Sequence, residues 1–286
     1  MKWQLISPGG SIFIRRLSKM FGIEWYKEPA GQFDGLIMLG IWENEGLEMA
    51  LKYADLPKIL IWSGSDAKYF QESKKEFNFG RTIHITDTPW LVYPLHRFFK
   101  EICFVPLPVF MPFSWEIPMP KKPGILLYAP KHHAQDVARI KTFVRQASGI
   151  PIHVLTKGDQ PIVDKRFQND VHYHESVKEE DRADVFSQVN VLVKLMKYDA
   201  MSQTVIEMKC LKRHVFWTTR APYCKLIEPN LRMDILVRMI KNPLFLKPDE
   251  EGAKYYRELH TPAMFLKMVK ELCEKKGWRF DYEYRL

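Results

Sequence analysis

The chain has 286 residues, 46% of them hydrophobic and 27% charged, with a formal net charge of +9 at pH 7. That length holds two compact halves or one large domain, and that hydrophobic share excludes a disordered chain. No apolar run approaches the roughly 20 residues that cross a bilayer. The opening MKWQLISPGGSIFIRRL is broken by Pro8, Gly9 and Gly10, which argues against a secretory leader.

In chain order, Lys2–Ile6 reads as a strand, Ser7–Ser11 (SPGGS) as a turn and Ile12–Phe21 as a helix. Gly35–Leu39 (GLIML) reads as a buried strand, Glu43–Ala54 as a helix, and Lys58–Trp62 (KILIW) as a strand closed by Ser63–Asp66 (SGSD). Thr82–Ile85 is a short strand before a helix near Trp90–Lys100, and Ile102–Leu107 is a strand that runs into Pro106, Pro108 and Pro112. Continuous apolar strands alternating with helices predict parallel sheets covered on both faces. Residues 108–123 carry five prolines and read as a linker, because proline neither donates to a ladder nor continues a helix.

The alternation then restarts. Ile125–Ala129 is a strand, His133–Ala147 a helix, Ile152–Leu155 and Val171–Tyr173 strands, and Glu179–Ser187 a helix. Val191–Leu195 is a strand, Thr204–Leu211 a helix and His214–Thr218 a strand. The expected organisation is a Rossmann-like domain over 1–110, a linker over 111–123, a second Rossmann-like domain over 124–260, and a C-terminal helix and tail over 261–286. That last helix is amphipathic over Ala263–Glu274 through Met264, Phe265, Met268, Leu272 and Cys273.

Cys103, Cys210, Cys224 and Cys273 form no CxxC pair, which indicates neither a zinc site nor a disulfide framework and suits a reduced, cytoplasmic setting. The positive charge calls for an anionic partner, with phosphorylated ligands, anionic lipid headgroups and nucleic acid all qualifying.

The densest signal is Val191–Trp217. A buried strand ends at a loop holding Asp199, a helix begins near Ser202, a capping residue type, and Glu207 lies about one turn inside it. Helix-start N–H groups supply positive potential to phosphates, and carboxylates accept from sugar and ribose hydroxyls. An ordinary loop Asp with a solvated helix Glu has the same spacing; the flanking buried strands favour the functional reading.

The stretch YDAMSQTVIEM resembles the acidic motif of retaining GT-B glycosyltransferases, notably glycosyltransferase family four, where many members read hDG(L/M)SxTVxEA. Asp199 stands where the family more often has Glu, and Ala200 where it often has Gly. The resemblance implies an α/β GT-B fold, two Rossmann-like domains facing each other across a cleft. It implies transfer of a sugar, with retention and without metal or other cofactor, from a UDP- or GDP-linked nucleotide-sugar donor to a glycan, lipid-linked or protein acceptor. Glu207 would accept from the ribose, Asp199 would hold the transferred sugar, and Met201, Ser202, Gln203 and Thr204 would line sugar and diphosphate.

Lys131, in ILLYAPKHH, takes the place of the family's first diphosphate cation and would stabilise the leaving group. Five positions on, the family's second cation is replaced by Asp136, with Lys157 and Arg220 as candidate substitutes. Val177 falls in the loop that brackets the base. In the first domain Gly9 and Gly10 follow the first strand. ILIWSGSDA resembles the family's hxWHGSD, with Ser63 in place of His. Ser63 and Asp66 would face the acceptor, and Asp66 also reads as a helix cap, as do Asp87 and Thr88. The resemblance places the C-terminal helix back on the first domain.

Three further readings complete the sequence. Helix Ile12–Phe21 sets Arg15, Arg16 and Lys19 opposite Phe13, Leu17, Met20 and Phe21. It reads first as a core helix with a solvated basic face, with contact at the inner membrane surface as the alternative. His132, His133, His172 and His174 point in different directions and suggest no metal. An epimerase or hydrolase of nucleotide sugars would use the same donor site. A non-catalytic nucleic-acid-binding protein would use the net charge, though no clustered aromatic–basic stripe supports it.

Overall fold

The apolar runs form strands buried on both faces. The computed structural model describes the chain apart from residues 9, 11, 40, 42–43, 74–75, 110–114, 130–135, 157–170, 176, 179–180, 197–199 and 283–286, and the side chains of Ile12, Asn44 and Ser65. It divides into two units, Met1–Phe110 with Leu259–Leu286, and Met111–Glu258.

In the first unit β1 (Trp3–Ile6), β2 (Trp25–Tyr26), β3 (Gly35–Leu39), β4 (Lys58–Trp62), β5 (Thr82–Thr86) and β6 (Ile102–Phe104) form one parallel sheet in the order β2-β1-β3-β4-β5-β6. Side chains alternate across it. Leu5, Ile37, Leu39, Ile59, Ile61 and Ile85 pack under α1 (Ile12–Phe21) and α10 (Pro262–Lys275). Ile6, Met38, Leu60 and Trp62 face α2 (Asn44–Lys52), α3 (Gly64–Ser73) and α4 (Pro89–Leu95). Burial on both sides is why these strands read as unbroken apolar runs.

The C-terminal segment completes this core. Thr261 caps α10 by accepting from the Met264 amide at 3.0 Å, with Pro262 in the first turn. Phe265 stacks on Phe21 at 5.9 Å, and the Trp3 indole N–H donates to the Arg279 carbonyl at 3.1 Å. Lys58 is fully buried at the start of β4. Its ammonium donates to the carbonyls of Tyr53, Ala54 and Leu56, closing the end of α2.

In the second unit β7 (Ile125–Tyr128), β8 (Ile152–Thr156), β9 (Val171–Glu175), β10 (Val191–Lys194), β11 (His214–Trp217) and β12 (Lys225–Leu226) form a parallel sheet in the order β12-β11-β10-β7-β8-β9. In the order of these strands along the chain this is the doubly wound Rossmann arrangement. One face, carrying Ile125, Leu127, Val154, Val191, Val193 and Phe216, packs on α5 (Val137–Gln146) and α8 (Met233–Ile240). α6 (Arg182–Ser187), α7 (Gln203–Cys210) and α9 (Glu250–Leu259) complete the unit. Arg213 is fully buried and donates to the carbonyls of Ile117, Pro118, Phe186 and Leu211, which fastens the proline-rich stretch to this unit.

Several elements differ from expectation. The helix after KILIW begins inside SGSD, at Gly64, so Asp66 lies within its first turn and not before it. The helix expected to Lys100 stops at Leu95, one residue after Pro94. The two-residue edge strands β2 and β12 have no periodicity to announce them. Among the described residues no helix is long and apolar enough to cross a membrane.

Candidate functional site

In the second sheet β7 to β9 step one way from the centre and β10 to β12 the other, so the order reverses between β7 and β10. Loops leaving the carboxyl ends of two such strands diverge and open a crevice that suits a ligand. Those loops are the ones carrying Lys131 and Asp199. The Asp136 amide donates to the Leu195 carbonyl at 3.2 Å and ties the two loops together. Lys131, Lys157, Asp199 and Gly9 lie outside the described residues.

After β10 the chain enters α7. Ser202 occupies the N-cap position with extended backbone, φ −86° and ψ 127°, yet its hydroxyl makes no capping bond. Ser202 therefore does not supply the expected cap, and its hydroxyl does not take the amides at the start of α7. Met201, Ser202 and Thr204 are buried. Gln203 is half-buried, and among the described residues its Nε2 has no hydrogen-bond partner.

Glu207 lies one turn into α7 and is 1% exposed. Its Oε1 accepts from Arg182, at the first turn of α6, at 2.8 Å. Glu207 is thus a buried carboxylate held by a cation and not a solvated helix residue. The loop before α6 carries Val177, which is half-buried. Asp136, five positions after Lys131, caps α5 by accepting from the Arg139 amide at 3.2 Å. Arg220 is exposed.

The sheet face opposite α5 and α8 is unusually polar. Lys194, the last residue of β10, is 1% exposed and lies over the rings of Tyr128 at 4.7 Å and Trp217 at 5.3 Å. On the same face His153 Nδ1 and His174 Nε2 are 3.0 Å apart, and His172 stacks on His153 at 5.0 Å, so His172 and His174, two apart on one strand, share a side and do not point apart as expected. Burial and the neighbouring imidazoles push His153 down to about 4. His132 and His133 are outside the described residues. Among the described residues no group of three or more His, Cys, Asp or Glu is arranged to hold a metal ion.

In the first unit Gly10 has φ +65° and donates to the Ser7 carbonyl at 3.0 Å, a tight turn in the left-handed region that favours glycine. Ser63 is half-buried after β4. Asp66 is 1% exposed, its Oδ2 lies 3.5 Å from the Ser63 hydroxyl, and its pKa is pushed up to about 7 by burial, with nearby Asp87 adding to the shift. This corrects both readings of Asp66. Its carboxyl is buried beside the Ser63 hydroxyl in the first turn of α3 and does not face solvent. Thr88 stands at the N-cap of α4 without capping it, and its hydroxyl donates to Asp87 at 2.8 Å.

No family model matches the sequence, and no curated protein matches it. In structure the chain is similar to a glycosyltransferase of Rickettsia africae ESF-5, with TM-score 0.65, 11% identity, and 96% of this chain and 98% of that one covered. It is similar to Anabaena HepE, solved in complex with UDP and glucose, with TM-score 0.64, 8% identity, and 96% and 100% covered. It is also similar to TarM, with TM-score 0.58, 13% identity, and 83% and 54% covered, so the chain spans about half of that protein's length. The fold is GT-B.

Within this GT-B chain, two charged residues of the second unit escaped the sequence reading. Lys194 had a signal, a cation interrupting the apolar run VLVKL. Arg182, one charge among many in KEEDRAD, had none, because only tertiary packing brings it to a carboxylate 25 positions away.

Proposed function

We propose that this protein is a glycosyltransferase that takes a nucleotide-sugar donor into its second unit and transfers the sugar to an acceptor hydroxyl. The observation that carries this reading is the start of α7. Amides that Ser202 does not cap stand at the topological switch point of a Rossmann-order sheet, with a buried carboxylate one turn inside. HepE, a structural neighbour, was solved with UDP and glucose, which supports a UDP-linked donor.

In this reading the diphosphate lies against the α7 amides, with Met201–Thr204 around it. Lys131 and the buried cation of Lys194 add positive charge as the bond from sugar to diphosphate breaks. Glu207 accepts from the ribose hydroxyls, Asp199 holds the transferred sugar, and Val177 brackets the base. The acceptor binds at the first unit, near the turn of Gly9 and Gly10 and the loop of Ser63. The likeness of YDAMSQTVIEM to family four favours transfer with retention and without a metal ion, by a cytoplasmic enzyme.

The test is a thermal-shift screen against UDP, GDP, ADP, TDP and CMP and their sugars. A ligand at 100 times its dissociation constant adds about 2.7 kcal/mol of apparent stability. Product analysis with and without acceptor then separates transfer from hydrolysis or epimerisation. If no nucleotide or nucleotide sugar shifts the melting curve, the proposal fails.

A further inference from the structure

Resting on the glycosyltransferase reading above, with its acceptor at the first unit, we infer that Ser63 and Asp66 form a relay that takes the proton from the acceptor hydroxyl. Ser63 touches that hydroxyl; Asp66 acts through it as a positioning residue and holds the proton. The order of the first sheet reverses between β1 and β3, so the loops leaving their carboxyl ends diverge and open a crevice in this unit too. The turn at Gly10 lies in the first of these loops. The backbone of Ile41, in the second, acts on the Asp66 carboxyl. Ser63 is the first residue after β4, the next strand across from β3, and is half-buried.

Three features of Asp66 suit a proton acceptor. The Ser63 hydroxyl donates to its Oδ2 at 3.5 Å, a long contact of the kind that tightens when substrate binds. Its Oδ1 is buried and has no hydrogen-bond partner among the described residues, so the ionised form is poorly stabilised and gains by taking a proton. Burial, with Asp87 after β5 adding to it, sets its pKa at about 7, where a base is both ionised and ready to take a proton at neutral pH. In the step, the acceptor O–H proton passes to Ser63 Oγ as the Ser63 proton passes to Asp66. The electron pair left on the acceptor oxygen forms the new bond to the anomeric carbon. The pair of the bond between sugar and diphosphate leaves with the diphosphate. Asp66, now neutral, passes its proton back out through Ser63 before the next turnover.

The test takes the nucleotide sugar that stabilises wild type in the screen above, with water as the acceptor, and follows its hydrolysis from about pH 5 to about pH 9. Wild-type kcat should rise with pH through about 7 and then level off, because the rate follows the ionised fraction of Asp66. Asp66→Asn should lower kcat about 100-fold and abolish the rise, with the donor KM within about threefold of wild type. Ser63→Ala should lose at least about tenfold in kcat, and Ser63→Thr, which keeps a hydroxyl, should recover most of it. An Asp66 that only supports the fold would change the melting temperature or KM and leave the rise in place, so a retained rise in Asp66→Asn overturns the inference. Full kcat in Ser63→Ala overturns it as well, and decides the question should Asp66→Asn fail to fold. Wild type that binds the donor yet never hydrolyses it also overturns the relay, since a base that takes a hydroxyl proton takes one from water. In each of these cases the thermal shift by the donor persists and the donor site stands. If wild type binds no nucleotide sugar at all, the glycosyltransferase reading falls and the inference falls with it.

Discussion

Gly124 and Asn190 lock β7 to β10 at the centre of the second sheet. The Gly124 amide donates to the Asn190 carboxamide oxygen at 2.7 Å, and the Asn190 amide donates back to the Gly124 carbonyl at 3.0 Å. The Asn190 Nδ2 donates to the Phe245 carbonyl at 2.6 Å. This exchange lies at the amino ends of the two strands whose carboxyl ends carry the candidate donor loops.

Gly124→Ala tests that lock. A Cβ at Gly124 would sit 2.1 Å from the Gln188 carbonyl oxygen, a backbone atom that cannot swing away. The expected outcome is a loss of about 3 kcal/mol in a urea titration, from forced separation of the central strands. A loss below about 0.5 kcal/mol would mean that the contact relaxes freely.

Glu207→Gln separates charge from volume. The amide fills the same space, but it leaves Arg182 facing a neutral group. Donor affinity is expected to fall at least about 30-fold, equivalent to about 2 kcal/mol. Thermal unfolding should stay cooperative with a lowered midpoint. Full affinity in the folded variant would remove Glu207 from the donor site.

Ser202→Asp sets stability against binding. Aspartate ranks with serine as an N-cap, but its charge favours the positive end of the helix, so α7 should gain about 0.3–1 kcal/mol. The same carboxylate occupies the amides assigned to the diphosphate and repels it. The variant should melt higher than wild type while binding UDP at least about tenfold more weakly. Unchanged UDP affinity in the stabilised variant would place the phosphates elsewhere.

The pH dependence of stability follows from buried groups. Burial holds His84 down to about 3, and His153 and His260 to about 4, against an ordinary value of 6.5. Their native forms stay neutral while the unfolded chain takes up protons, so stability is full above about pH 6.5 and is lost as pH falls toward 4. Asp66 works in the opposite sense. Its carboxyl, raised to about 7, is protonated in the fold while the unfolded form is ionised, so it adds stability as pH falls from 7 toward 3.8. Each fully developed shift contributes about 1.4 kcal/mol per pH unit, so three losses outweigh one gain. Melting temperatures between pH 7 and pH 4.5 should therefore fall, and Asp66→Asn should make the fall steeper. A flat profile for wild type would show that these histidines are protonated in the native state.

Local periodicity determined much of this chain. GLIML, KILIW, ILLY and VLVK were readable as strands buried on both faces, and residues 263–274 as an amphipathic helix, because spacing of apolar residues is a property of neighbours in sequence. The same applies to the strand–loop–helix around Ser202 and Glu207. Only the tertiary structure decided the rest. Edge strands of two residues exist through their partners alone, and nothing in the periodicity of 262–275 says which sheet it covers. The acidic letters of the site also changed meaning once packed. Asp136 became a cap, Asp66 a buried carboxyl, and Glu207 one half of an ion pair with a residue 25 positions away. Burial and charge partners are set by contacts between segments distant in the chain, and those contacts leave no periodic trace in the sequence.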